Sequence, residues 1–202
     1  MSAKSSPIES AGAKIRRKRI LAAIAYFLKH TRNCRKTKLG KLLFFLDFTH
    51  FKKYGTSVTG YDYIAMPKGP VPIQLYEAIT NDTLHEDFRE ALSIVKEIDD
   101  DGVSKGFRIQ IRPKADIEMK WLSPKELHVL EEVATIFRDA TAAQMSEITH
   151  LKNTPWEKTL HEKGPNQVID YRLALDEDIT LGTDELEERL RIQRELQANG
   201  RA

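Results

Sequence analysis

Two consecutive helical patterns near the N-terminus constrain the fold of this 202-residue chain more than any other feature. Apolar residues recur at helical spacing from about Lys14 to His30 and again from about Thr37 to Tyr54. The stripes consist of Ile20, Leu21, Ile24, Phe27 and Leu28 in the first pattern, and Leu39, Leu42, Leu43 and Leu46 in the second. Thr37 is the expected N-cap of the second helix, and Gly55 follows its end. Because such stripes must be buried, the patterns predict a mainly helical domain.

Glycine and proline punctuate the segment that follows, at Gly55, Gly60, Pro67, Gly69, Pro70 and Pro72. Tyr61, Tyr63 and Ala65 alternate with Asp62, Ile64 and Met66, which predicts a short extended piece. Pro72 favours an extended conformation at the residue before it, and a third helix is expected to follow at about Ile73–Thr80. Residues 93–99 and 106–114 show the alternation of apolar and polar side chains that is typical of strands, and an Asp-rich turn with one glycine lies between them. This pattern predicts an antiparallel hairpin.

Capping signals predict the remaining helices. Ser123-Pro124-Lys125-Glu126 is a capping box, and Thr141, Thr154 and Thr183 are further N-cap candidates. A short helix near Glu86–Leu92 and one or two helical turns within 169–175 complete the pattern. The predicted fold class is α+β, mainly α, a compact helical domain with one small antiparallel β-hairpin or sheet. We expect a disordered tail at 1–13, the domain at 14–175 and a charged helical extension at 176–202.

The near-neutral total of 32 Lys and Arg against 30 Asp and Glu hides a strong asymmetry. Residues 1–60 carry 14 basic and two acidic side chains, a net charge of +12, so the remainder carries −10. Cations at a helix N-terminus oppose the helix dipole, so this run is either a solvated face or a contact surface. The residues that could contact nucleic acid or an acidic partner are Arg16, Arg17, Lys18, Arg19, Arg35 and Lys36.

Cysteine content and hydropathy indicate the cellular compartment in which the protein is expected. Cys34 is the only cysteine, so there is no internal disulfide and no Cys-based zinc cage. Its cationic neighbours would favour a thiolate, although a plain surface thiol is the simpler interpretation. Without an apolar run of signal-peptide or membrane-spanning length, we expect a cytoplasmic protein with no membrane association.

A search for catalytic or metal-binding motifs finds none. The six histidines form no HExxH pattern, and there is no phosphate-binding glycine loop and no nucleophile elbow. We therefore expect no metal, no cofactor and no enzymatic activity. Asp47 and His50 are neighbours on the second helix, either as a functional polar pair or as a local contact that fixes the histidine tautomer.

Two longer stretches, residues 38–55 and 59–72, closely resemble the Panacea domain, the SocA-like antitoxin domain also met in phage-associated proteins. Residues 145–150 followed by Pro155-Trp156 resemble the C-terminal signature of the same family, and residues 169–171 fit it too. The resemblance extends over about residues 20–175. Lys68 departs from the family pattern, in which an aromatic residue is common at this position.

The resemblance implies a bacterial type II antitoxin that neutralises a co-encoded toxin by direct binding. One family member acts as a proteolytic adaptor, so an ATP-dependent protease is a second implied partner. The residues we assign to toxin binding, directly or by support of the Gly-Pro loop, are Asp47, His50, Tyr63, Met66, Lys68, Gly69, Pro70, Val71, His150 and Trp156. A nucleic-acid-binding regulator that uses the basic N-terminal helices is the alternative, and the oligomeric state stays open.

Overall fold

The computed structural model describes residues 10–98, 101, 104–175, 188, 191 and 195. The helices within these residues are α1 Ala11–His30, α2 Lys36–Tyr54, α3 Ile73–Thr80, α4 Glu86–Ala91, α5 Pro124–Ile136, α6 Ala142–Thr149 and α7 Pro155–Lys163. The strands are β1 Tyr63–Met66, β2 Gly69–Pro72, β3 Leu92–Ile98 and β4 Ser104–Ile111. The mainly α, α+β class is confirmed. The tail before Ser10, most of the Asp-rich turn and most of the predicted helix after Thr183 lie outside the described residues; residues 188, 191 and 195 of that helix are helical.

Helix α2 forms the centre of the domain. It contacts α1, α5, α6, β2 and β4, and 13 of its 19 residues are buried. Neighbouring elements cover most of this helix, which is why its buried set also includes Lys36, Lys38, Lys41 and Asp47. The sequence predicted only an apolar stripe here. Thr37, Lys52 and Lys53 near the ends of the helix remain exposed.

Two antiparallel hairpins flank the helices, where the sequence predicted one hairpin and one extended piece. Strands β1 and β2 pair with Tyr63 opposite Pro72 and Met66 opposite Gly69, leaving a tight turn at Pro67-Lys68. The backbone of residues 166–169 pairs with the free edge of β1 through three hydrogen bonds of 2.8–2.9 Å. Strand β1 therefore lies between β2 and this late segment, so its position is determined from both sides.

Most predicted caps are confirmed. Ser123 and Thr141 each form a capping box, and Thr154 caps α7. The prediction for α2 was wrong, since its N-cap is Arg35 without a side-chain cap and Thr37 lies inside the helix. Helix α1 begins at Ala11 rather than Lys14, because the Ser10 hydroxyl accepts the Ala13 N–H.

All four cations at positions 16–19 of α1 have partners inside the protein. In chain order they contact the carbonyl oxygens of Thr59 and Gly60, the Asp87 carboxylate, the Trp121 ring and the Glu126 carboxylate. The three side-chain partners, Asp87, Trp121 and Glu126, all lie after residue 60, in the acidic part of the chain. The charge asymmetry of the sequence is therefore partly cancelled within the fold.

The two remaining predicted contact cations also have internal partners. Arg35 pairs with Glu97 at 3.0 Å. Lys36 is buried, with its ammonium 3.5 Å from the Tyr76 ring centre and 2.9 Å from the Thr80 hydroxyl. These contacts join the start of α2 to α3 and to the second hairpin.

Candidate functional site

The turn between β1 and β2 is the candidate site, and side chains from three helices hold it in place. Lys41 of α2 donates to the Lys68 carbonyl oxygen at 2.9 Å, and Trp156 of α7 donates to the Met66 carbonyl oxygen at 3.0 Å. The Ser146 hydroxyl of α6 also lies within hydrogen-bonding distance of the Lys68 carbonyl, at 3.0 Å. The turn is thus fixed from beneath, while the side chains of Pro67 and Lys68 remain exposed.

Gly69 is required by this arrangement for two reasons. Its φ of +111° lies in a region that side chains rarely adopt. A Cβ at this position would also lie 2.5 Å from the Lys41 Nζ, 3.1 Å from the Thr149 Oγ1 and 3.9 Å from the His150 Nε2. Three polar atoms therefore converge on one point beside the turn backbone.

His150 and Trp156 form a stacked pair at the edge of the turn. Their ring centres are 3.9 Å apart and the rings are inclined by 16°. His150 is exposed whereas Trp156 is buried, so the indole provides a fixed platform for the imidazole. Partial burial, and then the charge of Lys41, lower the pKa of His150.

Asp47 organises the opposite end of β1. Its carboxylate accepts four hydrogen bonds, from the Val58 and Thr59 N–H groups, both at 2.8 Å, and from the Thr59 hydroxyl and the Tyr63 hydroxyl at 2.8 Å. The Tyr171 hydroxyl oxygen also lies 3.3 Å from the carboxylate, but its one proton is closer to the Tyr61 carbonyl oxygen, at 2.8 Å. One carboxylate thus connects α2, the loop before β1, β1 itself and the short helical turn Tyr171–Ala174.

The two backbone N–H groups that reach Asp47 can only donate, which favours its ionised form. Complete burial raises the pKa of Asp47, while hydrogen bonds from Thr59, Tyr63 and Val58 oppose this shift. The positive charge of Arg19 acts on the same region and also favours the ionised form.

His50 does not hydrogen-bond Asp47, contrary to both interpretations of the sequence. Its Nδ1 lies 2.6 Å from the Thr56 carbonyl oxygen and donates to it, while its buried Nε2 has no hydrogen-bond partner. Burial lowers the pKa of His50. Asp47 and His50 instead hold the same loop, residues 56–59, at separate points.

Lys41 is an unusual group in this site. It is 3% exposed, its one hydrogen bond is to the Lys68 carbonyl, and no carboxylate of the described residues forms an ion pair with it. Burial alone lowers its pKa to about 8. The sequence analysis missed this residue, although a lysine inside the apolar run of α2 was a usable signal.

The structure places the ten predicted binding residues in two groups rather than one cluster. Asp47, His50 and Tyr63 are buried at the Tyr63 end of β1, and His150 and Trp156 lie at the Met66 end. These ends are separated by roughly 10 Å of strand. Only Lys68 and His150 are exposed; Met66 and Val71 are half-buried, and Gly69, Pro70 and Trp156 are buried. The exposed residues could therefore contact a partner directly, whereas the buried residues can only support them from beneath.

Cys34 has a different environment from the one its neighbours in sequence suggested. Burial raises the pKa of its thiol to about 11, which outweighs the hydrogen bond from Thr31 and the charge of Lys38. Among the residues that the structure describes, no group of three or more His, Cys, Asp or Glu side chains could hold a metal ion. No helix in this part of the chain is long and apolar enough to cross a membrane.

Comparison with known families agrees with this architecture. The sequence model of the SocA-like antitoxin family, the Panacea domain, matches residues 39–157, more than half of the chain. The chain therefore belongs to this family, which confirms the resemblance. The match covers α2, both hairpins and the Trp156 signature, and ends before Tyr171. No curated protein and no solved structure matches the chain.

Replacement of Asp47 by asparagine should destabilise the domain strongly. The new amide would direct its NH₂ group at hydroxyl or N–H donors, so we expect a loss of about 2–4 kcal/mol in the free energy of unfolding. Urea denaturation followed by circular dichroism measures it. Asp170→Asn at a half-buried position removes a local pairing with Arg172 and should cost less than about 1 kcal/mol. Equal stability of the two variants would contradict the assignment.

Replacement of Lys41 by methionine should stabilise the free protein, by about 1–2 kcal/mol at pH 7 after allowance for solvent screening. The folded pKa lies below that of the unfolded chain, so the cost of the buried ammonium is complete below about pH 8. It disappears as the pH approaches the unfolded pKa, so the advantage of the variant should shrink between pH 8 and 10.5. Ser146 can still donate to the Lys68 carbonyl.

Lys38→Met is the matched control on the same helix. Lys38 is also buried, but its ammonium donates to the carbonyl oxygens of Arg32 and Arg138 at 2.7 and 3.1 Å. Its replacement should therefore destabilise the protein by about 1–2 kcal/mol. If thermal or urea unfolding at pH 7 shows Lys41→Met to be as damaging as Lys38→Met, Lys41 is an ordinary structural lysine.

Proposed function

We propose that this protein is an antitoxin of the type II class, which neutralises a co-encoded toxin by binding it directly. The contact centre would be the turn surface, defined as Pro67, Lys68, Ile148, His150 and Leu151. The observation that carries this proposal is the fixation of the β1–β2 turn by donors from α2, α6 and α7. A turn that is already ordered loses little conformational entropy on binding.

The chemistry of the turn surface suits a protein partner. Ile148 and Leu151 are large apolar residues that are 39% and 59% exposed at the end of α6. They flank the stacked His150 in the chain, and Ser146 of the same helix contacts the Lys68 carbonyl oxygen. Apolar anchors beside polar groups are the usual composition of a protein–protein contact.

The buried members of the predicted set would contribute indirectly. Asp47 fixes Tyr63 at one end of β1, and Trp156 fixes Met66 at the other. Gly69 and Pro70 set the backbone of the turn, and Val71 continues β2. In this proposal they determine the shape that the toxin recognises.

A binding role is better supported than catalysis. His50 and His150 lie in separate groups at opposite ends of β1, and the Asp47 carboxylate is fully used in structural hydrogen bonds. No pair of these groups has the geometry of a nucleophile and its base. A lone buried cysteine also suits a reducing cytoplasm, where we place the protein.

Nucleic-acid binding remains the alternative, and it would depend on a different surface. A cavity of about 320 Å³ opens beside Arg32, Arg35, Lys36, Lys38 and Lys105. Several of these cations already have internal partners, which leaves fewer charges for phosphates. A gel-shift titration at low salt with no retained DNA would exclude this alternative.

Co-expression with the neighbouring open reading frame tests the antitoxin proposal. The neighbour alone should stop growth, and the wild-type protein should restore it and co-purify with it. If the neighbour is harmless, or still stops growth beside this protein, the proposal fails.

Loss of protection when the host's ATP-dependent proteases are removed would indicate proteolytic handover, whereas unchanged protection would indicate inhibition by binding alone.

Charge reversal at the turn tests the proposed surface. Lys68→Glu should weaken binding to the neighbour's product by about tenfold or more, because Lys68 is exposed at the tip of the turn. Lys96→Glu on β3 makes the same change at an exposed site on the other hairpin and should bind like wild type. Titration calorimetry gives both constants. Equal affinities for the two variants would remove the turn from the interface.

A further inference from the structure

We propose that Lys41 receives one carboxylate, an Asp or Glu side chain, from the bound toxin. This inference rests on the proposed function and adds the chemistry of the contact. It starts from an imbalance within the free protein, since Lys41 is only 3% exposed, its ammonium has one carbonyl as its acceptor, and no carboxylate of the described residues pairs with it.

The hydrogen bond to the turn does not explain why a lysine is present. The Lys68 carbonyl oxygen has a second available donor, the Ser146 hydroxyl at 3.0 Å, and that hydroxyl now also reaches the Ala142 carbonyl at 3.0 Å. A hydroxyl has one proton, so it could serve Lys68 alone if Lys41 were absent. Burial of a charge without a counter-charge costs free energy, and this one is not needed to satisfy the turn.

The other buried lysines of α2 have partners that offset the cost of burying their charge. Lys38 donates to two carbonyl oxygens, and the charge of Asp139 acts on it. Lys36 lies against the rings of Tyr76 and Phe107. Among the described residues Lys41 has neither kind of support, and a carboxylate from a bound partner would supply it.

The surroundings of the Lys41 ammonium form a place for a carboxylate. The Lys41 Nζ and the His150 Nε2 lie on the same side of the Gly69 backbone, 2.5 and 3.9 Å from where a Cβ of this residue would stand, so the two nitrogens are near each other. A carboxylate has two oxygens, so one could accept from the ammonium and the other from the imidazole N–H. His150 is exposed and held by Trp156, so the ammonium lies one side-chain layer below the turn surface.

Among the described residues, the charge that acts on His150 at the end of α6 is that of Lys41 from α2. A carboxylate that arrives here gains attraction from the Lys41 ammonium, and Lys41 is almost fully buried, so water screens this attraction little. Pairs of this kind make large contributions to specificity, because an unpaired buried charge is left when the partner lacks the acid.

The experiment uses the full chain and the purified product of the neighbouring gene. Titration calorimetry at pH 7 compares wild type, Lys41→Met and Lys38→Met. We expect Lys41→Met to bind at least about tenfold more weakly while its unfolding temperature rises, so lost binding cannot be attributed to lost folding. Lys38→Met should lower the unfolding temperature and leave the affinity of the folded fraction near that of wild type.

A second measurement identifies the carboxylate. Each Asp and Glu of the neighbour's product is replaced by Asn or Gln, and each variant is combined with Lys41→Met. One position should show coupling, with the double change no weaker than either single change.

Wild-type binding should also fall by about tenfold from pH 7 to pH 9, as the free amine loses its proton, and Lys41→Met should lack this pH-dependent loss.

The outcomes separate the two proposals. If wild type binds and Lys41→Met binds equally well, or if no acidic position couples to it, the inference is overturned and the antitoxin function stands. If wild type does not bind the neighbour's product at all, the proposed function fails, and the inference that rests on it fails too.

Discussion

The buried carboxylate of Asp47 is the interaction on which the rest of the structure depends. Its donors come from the loop before β1 and from β1, and the Tyr171 hydroxyl, 124 positions later in the chain, lies 3.3 Å away. A single charge on the central helix thereby fixes both the start of β1 and the return of the C-terminal segment. Because β1 is held between β2 and residues 166–169, the turn at its far end has a defined position.

The same central helix uses its charges in two different ways. Asp47 is surrounded by donors and stabilises the fold, whereas Lys41 is buried without an anion and costs stability. Proteins commonly retain such unfavourable groups at sites that serve a partner, where binding supplies what the free fold lacks. In the proposed interface, Asp47 belongs to the supporting part of the site and Lys41 to its recognition part.

Several features of the fold could be predicted locally. The capping boxes at Ser123 and Thr141 were predictable because their donors and acceptors lie within four residues. The actual partners of Asp47 and His50 were not, because helical spacing shows which side chains are neighbours but not which longer-range groups bind them. Asp47 accepts from Thr59 and Tyr63, and His50 donates to the Thr56 carbonyl oxygen. The single predicted cluster became two groups for the same reason, since the length of β1 separates them.

The sequence by itself determined the helical class, the segment that carries the turn, and membership of the SocA-like antitoxin family, because these depend on local periodicity and on motifs that are contiguous in the chain. It also showed a net charge of +12 at the front, which suggested a surface for an acidic partner. Only the tertiary structure decided where those charges go. Arg16–Arg19 are paired with later residues, and Lys41 is buried beneath the turn without an anion. Charge counts are additive along a chain, but the free energy of a charge depends on its burial and its partners, which packing alone establishes.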